Sequence, residues 1–125
     1  MINKIGKITI YVNDQAEAKK FWTEKLHFVV KFEQQMGPMN WLEVAPSQSE
    51  FTTFVLYDKK LMQGQNPSTN VGHPTILLST TDIQSAYEDM KTNGVSVGEL
   101  MVMPYGKMFL FKDQDQNEYL LREDQ

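Results

Sequence analysis

Hydrophobic and polar positions alternate strictly over residues 7–12, near the start of the chain. The two alternating sets are Ile8, Ile10 and Val12 on one side and Lys7, Thr9 and Tyr11 on the other. This period of two is typical of a strand with one face buried. A half-buried first strand is therefore predicted, with Lys7, Thr9 and Tyr11 on its second face.

A helix is predicted directly after this strand. Asp14 offers a side-chain oxygen to the free amides of a first turn, and Glu17 three residues later completes a capping-box pattern. The apolar residues that follow at helical spacing, and that we expect to be buried, are Phe21, Trp22 and Leu26. The helix is expected to end near His27, which takes the exit position where the backbone turns left-handed and glycine is usual.

Three further strands complete the first half of the chain. Segments rich in β-branched and aromatic residues predict strands over residues 28–32, 41–44 and 52–57. The stretch 58–72 contains Gly64, Asn66-Pro67 and little apolar content, which predicts a linker.

The second half repeats the order of the first. Residues 75–80 predict a strand, Asp82 caps a helix, and Asn93-Gly94 ends it. The helix carries its apolar face on Ile83, Ala86, Tyr87 and Met90. Three more strands are predicted over residues 95–97, 108–111 and 118–121.

The internal repeat predicts an α+β fold made of two tandem βαβββ modules. We expect one domain over residues 1–125, with a first module over about 4–57, a linker over 58–72 and a second module over about 73–123. Each module alone leaves one sheet face uncovered once its helix packs on the other. We therefore expect a cleft-lined mixed β-sheet with helices on the outer face, and a small-molecule site in the cleft. Whether the modules pair within one chain or swap between two chains stays open.

Composition excludes several classes of function. The chain has 125 residues, a net charge of −4 and scattered lysines, which do not favour nucleic acid or a membrane surface as a partner. No segment approaches the roughly 20 apolar residues that span a bilayer, and MINKIGKITIYV has no apolar stretch of signal-peptide length. Cysteine is absent, which excludes disulfides and thiolate chemistry. We expect a cytoplasmic protein.

Three strings resemble the glyoxalase/bleomycin-resistance/dioxygenase (vicinal-oxygen-chelate) superfamily. YVNDQAEAKKFWTEKLHF is similar to the opening of glyoxalase-like proteins, and WLEVAPSQSEFTTFVLY to their third and fourth strands. FKDQDQNEYLL resembles the Phe-x-Asp-Pro-Asp-Gly-Asn signature, with Gln114 and Gln116 in place of the Pro and Gly. The resemblance covers nearly the whole chain and implies a glyoxalase-like fold.

The metal ligands that this resemblance implies do not fit the residues present. Metal-dependent members place His, Glu or Gln on the first and fourth strands of each module. Here those positions correspond to Lys7, Val55, Thr75 and Leu120. An ammonium group and hydrocarbon side chains offer no lone pair to a cation, and a single hydroxyl is a poor ligand. The chain therefore resembles a subgroup that lacks the usual ligands, and we expect no metal and no cofactor.

Three alternatives stay open. His73, Glu43 and Glu118 would be the donors of a displaced metal site, although solvated surface positions explain the same residues. His27 fits a turn role better than a catalytic one. Lys7, if it points inward, would bind an anionic group, whereas at the mouth its ammonium would only reach water.

The preferred hypothesis is a metal-independent protein that binds a small aromatic or amphipathic molecule in the cleft between the modules. The residues predicted to line the site are Lys7, Thr9, Tyr11, Trp41, Glu43, Val55, Tyr57, Thr75, Leu77, Met108 and Leu120. The resemblance to bleomycin-resistance proteins also implies a homodimer. The competing hypothesis is an enzyme, a glyoxalase-like lyase or isomerase or a ring-cleaving dioxygenase, which would need a metal. The sequence does not decide whether catalysis occurs.

Overall fold

The computed structural model describes residues 1–123, and the chain separates into two compact units. Unit 1 covers Met1–His73 and unit 2 begins at Pro74. Each unit contains a β-sheet with parallel and antiparallel strand pairs and a helix packed on one face of that sheet. The predicted α+β class, with its mixed sheets and glyoxalase-like order of strands and helices, is confirmed.

Unit 1 has a four-stranded sheet in the order β1-β4-β3-β2. β1 runs parallel to β4, and the other neighbours are antiparallel. Its elements are β1 (Lys7–Val12), α1 (Gln15–Lys20), a π-helical turn (Phe21–Lys25), β2 (Val29–Met36), β3 (Met39–Ala45), β4 (Thr53–Asp58) and α2 (Lys59–Gln65).

Unit 2 repeats this arrangement with the order β5-β9-β8-β6, and β7 also pairs with β8. β5 runs parallel to β9, as β1 does to β4. Its elements are β5 (Leu77–Thr80), α3 (Ile83–Thr92), β6 (Ser96–Val97), β7 (Met101–Met103), β8 (Gly106–Lys112) and β9 (Glu118–Glu123).

Local chemistry sets the ends of the two main helices as the sequence predicts. The Asp14 carboxylate accepts a hydrogen bond from the Glu17 amide at 3.1 Å, and Asp82 accepts one from the Ser85 amide at the same distance. The residues at which the chain leaves these two helices have positive φ, 61° for His27 and 79° for Gly94. The capping aspartates and the left-handed exits are therefore confirmed.

The helix-facing side of the unit 1 sheet holds an aromatic core. Trp22 is fully buried, and its ring centroid lies 5.3 Å from that of Phe54 on β4 and 4.8 Å from that of Phe28. Phe21 is also buried, whereas Leu26 is only partly covered. Since Phe54 pairs in register with Ile8, the apolar residues of β1 lie on this same side.

Three details differ from the prediction. Residues 59–65 form helix α2 inside the stretch predicted to be a linker, because the Asp58 side chain caps the first turn by accepting from the Leu61 amide at 3.0 Å. Strand β7 was missed, since a three-residue strand carries almost no periodic signal. β5 begins at Leu77, two residues later than predicted, so Thr75 lies before the strand. Within residues 1–123, no helix has the length and apolar character that crossing a bilayer requires.

Candidate functional site

Strand register places the seven predicted residues of unit 1 on one face of its sheet. Lys7 pairs with Thr53, Thr9 with Val55, and Tyr11 with Tyr57 along the parallel β1–β4 ladder, so these side chains point the same way. Glu43 pairs with Val55 across β3 and β4, and Trp41 lies two residues earlier on β3. The opposite face, on which α1 and the π-helical turn pack, carries Phe54 and the core. We call the side that points away from α1 the helix-free face of unit 1, and its predicted members are Lys7, Thr9, Tyr11, Trp41, Glu43, Val55 and Tyr57.

Glu43 is the centre of a hydrogen-bonded group on the helix-free face. It is 7% exposed, and its Oε1 accepts from the Lys7 ammonium at 3.1 Å and the Thr53 hydroxyl at 2.9 Å. Its Oε2 accepts from the Trp41 indole N–H at 2.7 Å. Because β4 lies between β1 and β3, the Lys7–Glu43 ion pair spans the middle strand.

The surroundings of Glu43 keep its carboxyl group ionised. Burial alone would raise its pKa, but the hydrogen bonds from Trp41, Thr53 and Lys7, together with the lysine charge, outweigh burial and hold the pKa below the ordinary value of 4.5. A proton-transfer base works best with a pKa near the operating pH. Glu43 is therefore suited to fixing donors in place rather than to accepting protons at neutral pH.

Three aromatic rings stand beside this polar group. The Tyr57 ring makes edge-to-face contacts with Tyr11, at a centroid distance of 6.0 Å, and with Trp41, at 6.3 Å. Tyr57 is almost buried, and its hydroxyl donates to Gln65 Oε1 at 2.6 Å. Tyr11 and Trp41 stay partly exposed. On the helix-free face, the Tyr57 ring is therefore buried, whereas the ring edges of Tyr11 and Trp41 are accessible to solvent.

In unit 2 the structure brings together three of the four predicted residues. Leu77 pairs with Leu120 across β5 and β9, and Leu120 pairs with Leu110 across β9 and β8. Met108 lies on the same side of β8 as Leu110. These side chains point away from α3, whose Tyr87 packs on Phe109 at 4.9 Å on the other side of the sheet. Thr75 is exposed and precedes the strand, so it does not join this group.

Sequence reasoning missed two residues that shape the unit 1 site. Thr53 could have been found, because it lies two positions before Val55 and strand alternation puts both on one face. Gln65 could not, because its helix lies in a stretch whose glycine and proline content predicted a linker. Both residues hold other side chains of the site by hydrogen bonds.

The side chains at the four positions aligned with metal ligands do not fit a metal ion. Lys7 donates to Glu43 and has no lone pair, Val55 is a buried hydrocarbon, and Leu120 is likewise without a donor atom. Thr75 supplies one exposed hydroxyl. No reaction step through a metal at these positions follows from this donor set.

The displaced set predicted as an alternative is also poorly supported. Glu43 already accepts three hydrogen bonds, and Glu118 is exposed at the start of β9. His73 is half-buried at the end of unit 1. Across residues 1–123, no three His, Asp or Glu side chains gather as a possible metal site. His27 is exposed at the helix exit with φ 61°, in keeping with its turn role.

Two open depressions of about 470 and 570 Å³ lie elsewhere on unit 1. Their shared lining is polar and comprises Gln15, Gln35, Asn40 and Asp58. Gln15 is held in place by donating to the carbonyl oxygens of Asn40 at 2.7 Å and Leu56 at 2.8 Å. Sites for organic ligands are lined mostly by apolar and aromatic side chains, so the aromatic helix-free face is the stronger candidate.

Comparison with known proteins agrees with this fold. The family model described as Glyoxalase/Bleomycin resistance protein/Dioxygenase superfamily matches residues 4–121. The chain is 44% identical to the uncharacterized protein YetH of Bacillus subtilis, over 98% of this chain and 100% of that protein. It is 32% identical to the uncharacterized protein YurT of the same organism, over 74% of this chain and 76% of YurT.

Two solved structures are also similar. TnmS3, described as an antibiotic binding protein from Streptomyces sp. CB03234, matches with a TM-score of 0.84 and 28% identity, over 99% of this chain and 98% of TnmS3. A glyoxalase/bleomycin resistance protein/dioxygenase superfamily member from Sphaerobacter thermophilus matches with a TM-score of 0.83 and 28% identity, over 98% of each chain.

Proposed function

Because this chain belongs to the Glyoxalase/Bleomycin resistance protein/Dioxygenase superfamily, we propose that it binds a small aromatic or amphipathic organic molecule without a metal ion. The observation that carries the proposal is the aromatic group of Tyr11, Trp41 and Tyr57 beside the Lys7–Glu43 pair on the helix-free face. The likeness to TnmS3, an antibiotic binding protein, supports it.

Such binding would be stabilised by burying apolar surface of the ligand against aromatic side chains that are already held in one orientation. Covering about 100 Å² of apolar surface is worth about 2.5 kcal/mol, and each edge-to-face ring contact adds about 0.5–1.5 kcal/mol. The hydrogen bond from Trp41 to Glu43 holds the indole in one orientation before any ligand arrives. Since less side-chain freedom is then lost on binding, the bound state is favoured further.

The proposed ligand lies against the helix-free face of unit 1, with Val55 and Tyr57 beneath it and Thr9, Tyr11 and Trp41 at its edges. The residues of unit 2 that we predicted to line the site, Thr75, Leu77, Met108 and Leu120, stay predictions. Substitution of Leu77, whose side chain is largely exposed, tests that part of the proposal by titration.

The proposal is tested by titrating the protein with flat aromatic compounds and measuring heat and tryptophan fluorescence. We expect dissociation constants in the micromolar to low millimolar range for the best compounds. Trp41→Leu should weaken binding by about tenfold, which corresponds to one lost ring contact of about 1.4 kcal/mol. Phe51→Leu, at an exposed aromatic residue that precedes β4 and is not among the predicted site residues, is the matched control and should bind as the wild type does. An absence of binding at millimolar concentration contradicts the proposal.

The competing enzyme hypothesis has its own measurement. A lyase, isomerase or dioxygenase of this superfamily would need a divalent ion, for which the described side chains give no fitting donor set. Metal analysis of protein purified without chelator is expected to find less than one tenth of an equivalent of Ni, Zn, Fe or Mn. A stoichiometric ion would replace the binding proposal with the catalytic one.

We also propose that the protein is a cytoplasmic homodimer. Exposed apolar side chains on β2 and on the β7–β8 hairpin, among them Phe32, Met36, Val102 and Tyr105, supply surface that a second copy would cover. Light scattering after size exclusion should give twice the mass of one 14.5 kDa chain. Cell fractionation tests the location.

A further inference from the structure

We infer that the ligand carries an anionic oxygen, a carboxylate or an ionised phenol, attached to its aromatic ring system and bound by Lys7. This inference rests on the proposed function, because it names the chemical class that the same site would take. The two partners of the Lys7–Glu43 pair differ in exposure, and the pair lies beside Trp41.

Lys7 has donor capacity to spare. A lysine ammonium carries three N–H donors, and in this structure one of them goes to Glu43 Oε1 at 3.1 Å. The Lys7 side chain is 51% exposed. Two strong donors therefore remain for an acceptor that arrives from solvent, and an anionic oxygen is the acceptor that an ammonium binds best.

Glu43 is not available in the same way. Its side chain is 10% exposed, and its two oxygens accept from Lys7, Thr53 and Trp41. A cationic ligand would have to displace one of these donors before it reached the carboxylate. The ion pair thus presents its positive partner to solvent and keeps its negative partner covered, so the site favours anions although the pair is neutral.

Among the four strands of unit 1, the register places no carboxylate besides Glu43 on this face. The register places only these further side chains from β1 and β4 beside the pair: Thr9, Tyr11, Thr53, Val55 and Tyr57. The hydroxyl of Tyr57 already donates to Gln65. An anion at Lys7 therefore meets hydroxyl groups, aromatic edges and the covered Glu43.

The distance between Lys7 and Trp41 fits an aromatic acid. Both residues donate to a single carboxylate, at 3.1 and 2.7 Å, so the Lys7 Nζ and the Trp41 indole nitrogen lie no more than about 8 Å apart. A bicyclic aromatic acid has about this length. Its anionic oxygen can therefore reach Lys7 while its rings lie along Trp41.

The test compares three probes of one shape at pH 7.5: naphthalene carboxylate, the neutral naphthalene carboxamide and the cationic naphthylmethylammonium. A nitro-substituted naphthol that is already ionised at pH 7.5 provides a phenolate probe, which separates carboxylate from ionised phenol. Binding is measured by calorimetry to wild type, Lys7→Met, Glu43→Gln and the control Lys20→Met, which removes an exposed lysine on α1. Thermal melting checks that each variant is folded.

We expect the carboxylate to bind about 10- to 100-fold more tightly than the carboxamide, which is the range of one charge-assisted hydrogen bond. Lys7→Met should abolish this preference without weakening the carboxamide more than about twofold, and Lys20→Met should leave it intact. Glu43→Gln should raise the ratio of carboxylate to carboxamide affinity, because it removes the negative partner of Lys7. A loss caused by poor folding or by a freed Trp41 indole weakens both probes alike and leaves this ratio unchanged.

Three outcomes overturn the inference while leaving the proposed function standing: equal binding of carboxylate and carboxamide, strongest binding of the cation, or a preference unchanged in Lys7→Met. If neither these probes nor any compound of a wider aromatic panel binds, the proposed function fails and the inference fails with it. The two failures are thus distinguishable in one set of titrations.

Discussion

Replacing His27 with glycine is expected to stabilise the protein. His27 follows the π-helical turn with φ 61°, in the left-handed region that L-residues avoid because their Cβ crowds the backbone. Its side chain is exposed, so its removal uncovers no core. Glycine has no Cβ and adopts this conformation freely.

The magnitude follows from two opposing contributions. Relief of left-handed strain is worth about 1–2 kcal/mol, at the lower end for histidine, which tolerates this region better than most residues. The greater freedom of glycine in the unfolded chain offsets about 0.5–1 kcal/mol. We expect a net gain of up to about 0.5 kcal/mol, which raises the melting temperature of a domain of this size by up to about 2–3 °C.

The assay is chemical and thermal unfolding of four proteins: wild type, His27→Gly, His27→Ala and Lys20→Gly. His27→Ala keeps the strained backbone and removes the side chain, so it should stay within about 0.5 kcal/mol of wild type. Lys20 has φ −61°, and glycine there should destabilise by about 1 kcal/mol. If His27→Gly destabilises as much as Lys20→Gly does, the strain argument is wrong and the imidazole makes a contribution of its own.

Four other predictions concern buried polar groups and metals. Asp113→Ala should lower the free energy of unfolding by about 2–4 kcal/mol, which denaturant titration measures. The Asp113 carboxylate accepts hydrogen bonds from the Tyr119 hydroxyl at 2.7 Å and from the amides of Asp115 and Asn117, and these donors would lose their acceptor. Burial and the charge of Asp113 raise the pKa of the Tyr119 hydroxyl. The stability that this raised pKa contributes is present below pH 10 and is lost at higher pH. Tyr119→Phe should reduce this loss of stability at high pH. Because the pKa of Glu43 is lowered, its contribution is present above about pH 4.5 and disappears on acidification; a Glu43→Gln variant with an equally steep acid decline would refute this. Treatment with a chelator should change neither the melting temperature nor aromatic binding, and a shift of more than about 2 °C on adding Zn or Ni would argue against metal independence.

The parts of the fold that could be predicted are those that neighbouring residues determine. Asp14 and Asp82 cap the two main helices through side-chain bonds that close within three residues, so the capping pattern is visible in the sequence. Helix α2 was missed because Gly64 and Asn66-Pro67 resemble loop chemistry, although the Asp58 cap was present as a signal. Strand β7 depends on pairing with β8 and has too few residues to show a period.

The centre of the candidate site depends on strand order, which periodicity does not encode. Alternation predicts that Lys7 and Glu43 each face away from the core, but it does not say that β4 separates their strands or that their side chains meet across it. Thr53 lies on that intervening strand and donates to the same carboxylate oxygen as Lys7. The hydrogen-bonded group therefore needs residues from three neighbouring strands. Any sequence that changed the order of these strands would keep the same hydrophobic pattern and lose the pair. The position of Lys7 beside the aromatic edges is therefore a property of the topology, and the ligand preference that we infer follows from the topology as much as from the residues.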